Sequence, residues 1–288
     1  MIYLKRILIV GASGMLGNTL LRYFFNDSDC QVFGTVRSLE SISSLSGDIA
    51  ATVTGGVTIE STDSILKVFS SVQPDIVINC LGLVKQLSDA NSPLLALPIN
   101  SIFPHRLAEI CSVAGARLIH MSTDCVFSGK RGMYLETDVP DAQDLYGVSK
   151  RLGEVDYPHA ITLRTSIIGH ELSSHRSLVN WFLGQSGQVK GFSNAIFSGL
   201  PTVEIGKLIK HHVIPHGELH GMYHVSAEPI DKYTLLCMVK RVYGKSIEIL
   251  RDSEFSIDRS LDSTRFRDAT GFVPAGWEEM VQTMHDFN

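Results

Sequence analysis

Short continuous apolar runs alternate with stretches whose apolar positions recur every three or four residues through the first 170 positions of the chain. The runs RILIV (6–10), QVFGTV (31–36), DIVINCLG (75–82), RLIHMST (117–123) and AITLRTSII (160–168) predict strands buried on both faces. Between them the helical period predicts helices over 15–26, over 61–72 behind a Ser/Thr/Asp cap, over 101–115 up to a closing glycine, and from about Asp144 to Tyr157. Buried strands separated by helices make an α/β fold with a doubly wound parallel sheet covered on both sides.

Beyond Thr165 the pattern loosens. A Ser/His-rich piece covers 173–177, an apolar helix 178–184, strands 187–192 and 222–225, a Pro-led helix 229–243 and a last helix begins near Trp277. This divides the chain into a sheet-bearing domain, 1–168 with 203–244 returning to it, and a smaller C-terminal lobe from 169–202 and 245–288.

Composition narrows the function classes. Of 288 residues 44% are hydrophobic and 19% charged, an ordinary globular balance with ample core. A net charge of −5 and the lack of a Lys/Arg cluster exclude nucleic acid as the expected partner. The five cysteines, Cys30, Cys80, Cys111, Cys125 and Cys237, stand singly, which suits a reducing cytoplasm. The N-terminal basic pair and apolar run are broken by glycines too early for a signal peptide, and no stretch approaches a membrane span. The chain reads as cytoplasmic, without a membrane partner.

Between the first strand and first helix, GASGMLG places Gly11, Gly14 and Gly17 in a G-x-x-G-x-x-G spacing. Gly11 would permit the tight turn, Gly14 the approach of a pyrophosphate, and Gly17 close helix–sheet packing. Backbone amides of Ser13, Gly14, Met15 and Leu16 at the helix start would then face phosphate oxygens. The alternative is a glycine turn used only for packing. The second strand ends in Arg37 and Ser38, where an acid would suit the free ribose of NAD. A guanidinium there attracts a 2′-phosphate, so NADP(H) is favoured over NAD(H).

Three further pieces fall at strand ends, where open α/β sheets bind ligands. Cys80, Leu81 and Gly82 would line the cofactor, Thr123 closes the strand 117–123, and Tyr146 and Lys150 stand one helical turn apart in YGVSK. Together with Asn100 in PIN and with LRTSIIG, these motifs resemble the extended short-chain dehydrogenase/reductase family and its Rossmann-type fold. The phrases GARLIHMSTDCVFSG, YGVSKRLGE and LRTSIIG resemble the subgroup of nucleotide-sugar 4-keto reductases typified by dTDP-4-dehydrorhamnose reductase.

The resemblance implies NADPH-dependent reduction of a nucleotide-linked 4-keto-6-deoxy sugar for a surface polysaccharide. Tyr146 would act as general acid, with Lys150 lowering its pKa and holding ribose hydroxyls. Thr123 would orient the keto oxygen, and Asn100 would support the lysine or simply cap a helix. The sheet-bearing domain would hold NADP and the smaller lobe the sugar nucleotide. A C4 epimerase and an NADP-binding regulatory subunit without turnover are the alternatives.

The family's dehydratases run Thr-Asp-Glu where this chain has Thr123, Asp124 and Cys125. Without the glutamate, loss of water has no base, whereas reduction needs none. Cys125 and Ile167 also stand where the rhamnose-pathway enzymes carry aromatic rings, so the sugar pocket is expected to differ. Lys190, Arg259, Arg265 and Arg267 are candidates for the substrate pyrophosphate, with surface ion pairs as the alternative. Five histidines between His211 and His224 invite a metal, but their spacing forms no ligand set and no metal is expected; His211 and His212 are expected to satisfy helix-end carbonyls. A homodimer is compatible with the sequence, though no apolar stripe fixes the oligomeric state.

Overall fold

The computed structural model describes residues 4–43, 45, 47–83, 91–172 and 176–288. The chain divides into two compact units: Met1–Ser122, Asp144–Leu163 and Glu218–Met222, and Thr123–Gln143, Arg164–Gly217 and Tyr223–Asn288. Much of the Ser/His-rich piece lies outside the described residues.

Buried apolar runs form the strands β1 (Lys5–Val10), β2 (Cys30–Thr35), β3 (Val53–Thr54), β4 (Ile76–Asn79), β5 (Arg117–Thr123) and β6 (Ala160–Thr165). Between them lie α1 (Met15–Phe25), α2 (Gly47–Ala50), α3 (Thr62–Val72), α4 (Pro93–Ala96), α5 (Phe103–Ala114) and α6 (Leu145–Leu152). The later elements are β7 (Ile167–Ile168), α7 (Leu178–Gly184), β8 (Gln188–Phe197), β9 (Leu200–Pro201), α8 (Thr202–Leu208) and β10 (Gly221–His224). They are followed by β11 (Ile230–Asp231), α9 (Lys232–Val242), β12 (Glu248–Asp258), α10 (Thr264–Thr270) and α11 (Trp277–Asp286).

A seven-stranded sheet has the order β10-β6-β5-β4-β1-β2-β3. The pairs β1–β2, β1–β4, β2–β3 and β4–β5 are parallel. The chain order therefore reverses beside β1, the switch point at which such sheets bind ligands. In the first unit Leu8, Val10 and Val77 of the sheet pack with Val68 and Phe69 of α3 and Phe103 and Leu107 of α5. In the second, Phe182 of α7, Val189 of β8, Leu235 of α9 and Val281 of α11 form a core of their own. No helix among the described residues is long and apolar enough to cross a membrane.

Several boundaries differ from the sequence reading, each for a local reason. The helix expected to run to Tyr157 stops at Leu152, because Gly153 caps it. A Cβ at Gly153 would sit 1.8 Å from the Asn100 carbonyl oxygen, so two helices meet there at backbone distance. The expected Pro-led helix starts three residues later, at Lys232, because the Asp231 carboxylate accepts the Thr234 N–H at 2.8 Å and sets the start. The eleven-residue strand β12 had no alternating signal, since nearly all its side chains are exposed or half-exposed as it pairs with β8.

Candidate functional site

The glycine loop leaves β1 at Val10 and turns at Gly11, whose φ of +90° lies in the left-handed region open to glycine. The Gly14 N–H donates to the Gly11 carbonyl at 3.2 Å. A Cβ at Gly17 would lie 2.2 Å from that same oxygen, so α1 rests directly on the turn. Gly14 is exposed, and among the described residues no side chain caps α1, which suits its first-turn amides to an outside acceptor. This cradle, with no Cβ at Gly11, Gly14 or Gly17, fits a dinucleotide pyrophosphate. Arg37 is exposed just past β2, and the Ser38 hydroxyl accepts the Glu40 N–H at 3.2 Å, capping the next turn.

The segment after β4 is anchored by two buried asparagines. The Asn79 side-chain oxygen accepts the Leu81 N–H at 3.1 Å, and that of Asn100 accepts the Leu83 N–H at 2.9 Å. Asn100 is not a helix cap. It lies within a π-helical stretch, Leu97–Ile102, that joins α4 to α5, where the wider turn leaves its amide free to reach sideways. Its Nδ2 donates to Ser149 Oγ at 3.0 Å, and Ser149 Oγ donates to the Tyr146 carbonyl at 2.9 Å. A Cβ at Gly82 would lie 3.5 Å from Asn100 Oδ1 and 3.8 Å from Lys150 Nζ, which brings the turn to the catalytic candidates.

Asp144 starts α6 by accepting the Gly147 N–H at 3.0 Å. Tyr146 is half-buried, and Lys150, one turn on, is 4% exposed. The Lys150 ammonium donates to the Met121 carbonyl at 2.8 Å. Burial pulls its pKa down to about 8, against the opposing pull of Glu154 and Cys80. Glu154 itself accepts from Ser122 Oγ at 2.7 Å. Burial pushes the Cys80 thiol up to about 12, so it stays protonated.

In the second unit, Thr123 ends β5 and is also a cap. Its Oγ1 accepts the Cys125 N–H at 3.1 Å and donates to Asp124 Oδ1 at 3.2 Å. Burial raises the pKa of Asp124, while the Arg259 charge and hydrogen bonds from Cys125, Thr123 and Ser166 oppose the rise. Arg259 donates through Nε to the Phe127 carbonyl at 2.8 Å and directs NH1 at Cys125 Sγ at 3.9 Å. Lys232 joins this group: burial lowers its pKa, and the charges of Asp124 and Cys125 resist the fall. Sequence reasoning missed Lys232, whose only local mark is its place just after the Asp231 cap.

The other candidates have separate engagements. Lys190 pairs with Asp252 at 2.8 Å across β8 and β12, Arg265 lies 4.5 Å over the Tyr223 ring, and Arg267 pairs with Glu228 at 3.2 Å. Half-buried Ile167 sits opposite Leu200 in the β7–β9 pair. His212 Nδ1 meets the Thr270 carbonyl at 3.1 Å, at the end of α10 rather than of its own helix. Buried His224 bridges Arg164 and the Tyr134 carbonyl. Among the described residues no three His, Cys, Asp or Glu side chains group to hold a metal ion.

Residues 5–191 match the family model described as the RmlD substrate binding domain. The chain belongs to that family. Among relatives of this chain is the dTDP-4-dehydrorhamnose reductase of Aggregatibacter actinomycetemcomitans, 22% identical over 99% of each chain. Another is methionine adenosyltransferase 2 subunit beta of Danio rerio, 26% identical over 83% of this chain and 74% of that one. The crystal structure of dTDP-4-dehydrorhamnose reductase from Bacillus anthracis in complex with NADP superposes with a TM-score of 0.79. It is 21% identical and is covered in full, with 99% of this chain, a likeness of fold.

Proposed function

We propose that the chain reduces, with NADPH, the 4-keto group of a nucleotide-linked 4-keto-6-deoxy sugar, for deoxysugar or surface-polysaccharide synthesis. The carrying observation is the buried Lys150 ammonium, pinned by the Met121 carbonyl one helical turn from Tyr146. The dinucleotide, when bound, supplies the hydride. The cradle of Gly11, Gly14 and Gly17 holds its pyrophosphate, Arg37 attracts its 2′-phosphate, and the turn at Cys80, Leu81 and Gly82 lines it.

Tyr146 gives its phenolic proton to the sugar oxygen as negative charge develops there. Lys150 favours the phenolate that remains, and its other N–H bonds reach ribose hydroxyls. Thr123 turns its hydroxyl from Asp124 to the keto oxygen. Asp124, Cys125 and Arg259 supply polar contacts to the sugar, with Lys232 added to the residues named from sequence, and Ile167, Lys190 and Arg265 complete the substrate set. Cys125 in place of a glutamate leaves no base for dehydration.

The second reading is an NADP-binding regulatory subunit without turnover, and similarity to a protein named as a subunit, methionine adenosyltransferase 2 subunit beta, is what supports it. Single-turnover oxidation of NADPH with a panel of dTDP- and UDP-linked keto sugars separates them. Net reduction of one sugar supports the proposal. Redox-neutral interconversion would indicate a C4 epimerase, and tight NADPH binding with no turnover would indicate the subunit.

A further inference from the structure

One buried polar chain behind the turn is not used by the proton transfer. The strand register sets Val10, Asn79 and His120 side by side on β1, β4 and β5, where β1 and β4 end and the glycine loop and the 79–83 turn begin. Asn79 and His120 are both fully buried. Because the Asn79 oxygen accepts the Leu81 N–H, its Nδ2 is the atom that faces His120 Nδ1, 3.1 Å away. An amide nitrogen only donates, so Nδ1 accepts and the neutral ring carries its proton on Nε2. Nε2 has no hydrogen-bond partner among the described residues. Burial first, then the charges of Lys150 and His105, hold the ring well below the ordinary histidine pKa and keep it neutral.

The imidazole therefore offers one useful atom, the Nδ1 acceptor. Without it, Asn79 has a buried amide donor with nothing to meet. Turning the amide over would aim a donor at the Leu81 N–H, itself a donor. The turned-over amide drops Leu81, and the upright one keeps that bond but is no longer held by His120, so the Leu81 end of the turn is less firmly anchored, while Asn100 still holds Leu83. The Leu81 side chain also lies over the glycine loop, where a Cβ on Gly11 would come within 2.8 Å of its Cδ2.

We propose that His120 is a positioning residue for dinucleotide binding, acting through Asn79 to hold Leu81 and with it the shape of the 79–83 turn. The assignment rests on the NADPH reading above.

The test is NADPH affinity, read by fluorescence of the bound nucleotide on the full chain, with melting temperature measured alongside. His120→Asn puts an amide oxygen where Nδ1 lies, and its amide nitrogen takes the place of the unpartnered ring N–H. His120→Gln places its amide one carbon further out, and His120→Leu offers no acceptor. The expectation is that His120→Asn binds NADPH within about twofold of wild type, while the Gln and Leu variants bind about tenfold more weakly. KM for the sugar should not follow this order. Should His120→Leu fail to fold, the contrast between Asn and Gln decides. Wild-type affinity in His120→Gln, or an equal loss in His120→Asn and His120→Leu, would overturn the positioning role alone. A wild-type chain that binds no NADPH would overturn the reductase reading and this assignment together.

Discussion

Replacing Lys150 with methionine should change stability with a pH signature that no surface lysine would give. The ammonium is 4% exposed and its pKa falls from 10.5 to about 8. Between those values the unfolded chain holds a proton that the folded chain has released, so wild-type stability rises with pH across this window. Below pH 8 the folded protein carries the full burden of a buried charge, about 3 kcal/mol from the 2.5-unit difference. Lys150→Met removes that burden and also the donor to the Met121 carbonyl, a loss of about 1–3 kcal/mol. The two terms nearly offset at pH 7, leaving the variant about as stable as wild type or slightly more so.

From pH 8 to 10.5 the wild type should then gain about 3 kcal/mol relative to the variant. Urea unfolding of the cofactor-free proteins, followed by circular dichroism at steps from pH 7 to 10.5, measures this difference. Cys80 and Cys111, both pushed up to about 12 by burial, lower stability above pH 9 in both proteins and largely cancel in the comparison. A stability difference that stays flat within about 1 kcal/mol over the window would refute the buried-ammonium account.

Three further outcomes are expected. Tyr146→Phe should lower single-turnover reduction by about 10²–10⁴-fold while NADPH affinity, measured by fluorescence, stays unchanged. Gly17→Ala would drive a Cβ to 2.2 Å from the Gly11 oxygen, so urea unfolding should show about 1–3 kcal/mol of lost stability and NADPH titration a weaker complex. Arg37→Ser should weaken NADPH by about tenfold or more and leave NADH nearly untouched, as expected for one charge-assisted contact to the 2′-phosphate.

What the sequence made legible was local. The glycine loop, the turn between Tyr146 and Lys150, and the strand end at Thr123 all lie in contiguous motifs whose spacing states their geometry. The Asn79–His120 pair was not legible, because it depends on the register of two strands joined by a long connection. Lys232 escaped for the same reason: 107 positions separate it from Cys125, whose charge acts on it. The early end of α6 needed knowledge of what Gly153 meets, a carbonyl from another helix. The ion pair of Lys190 with Asp252 was hidden in the same way, since it too depends on which strands lie side by side.

The π turn between α4 and α5 gives an unexpected importance to Ile102. Its side chain is 53% exposed and adds little to the core. Yet the Phe103 N–H bonds back five positions to the Pro98 carbonyl, so the stretch holds one residue more than an α-helix would. Deleting Ile102 would restore the ordinary period and swing Asn100 by about 100° relative to α5. Phe103 and Leu107 would keep their places in the core, while the amide joining Leu83 to Ser149 would point elsewhere. The chain can thus tolerate almost any side chain at 102 and still be unable to lose the position, because what counts there is length.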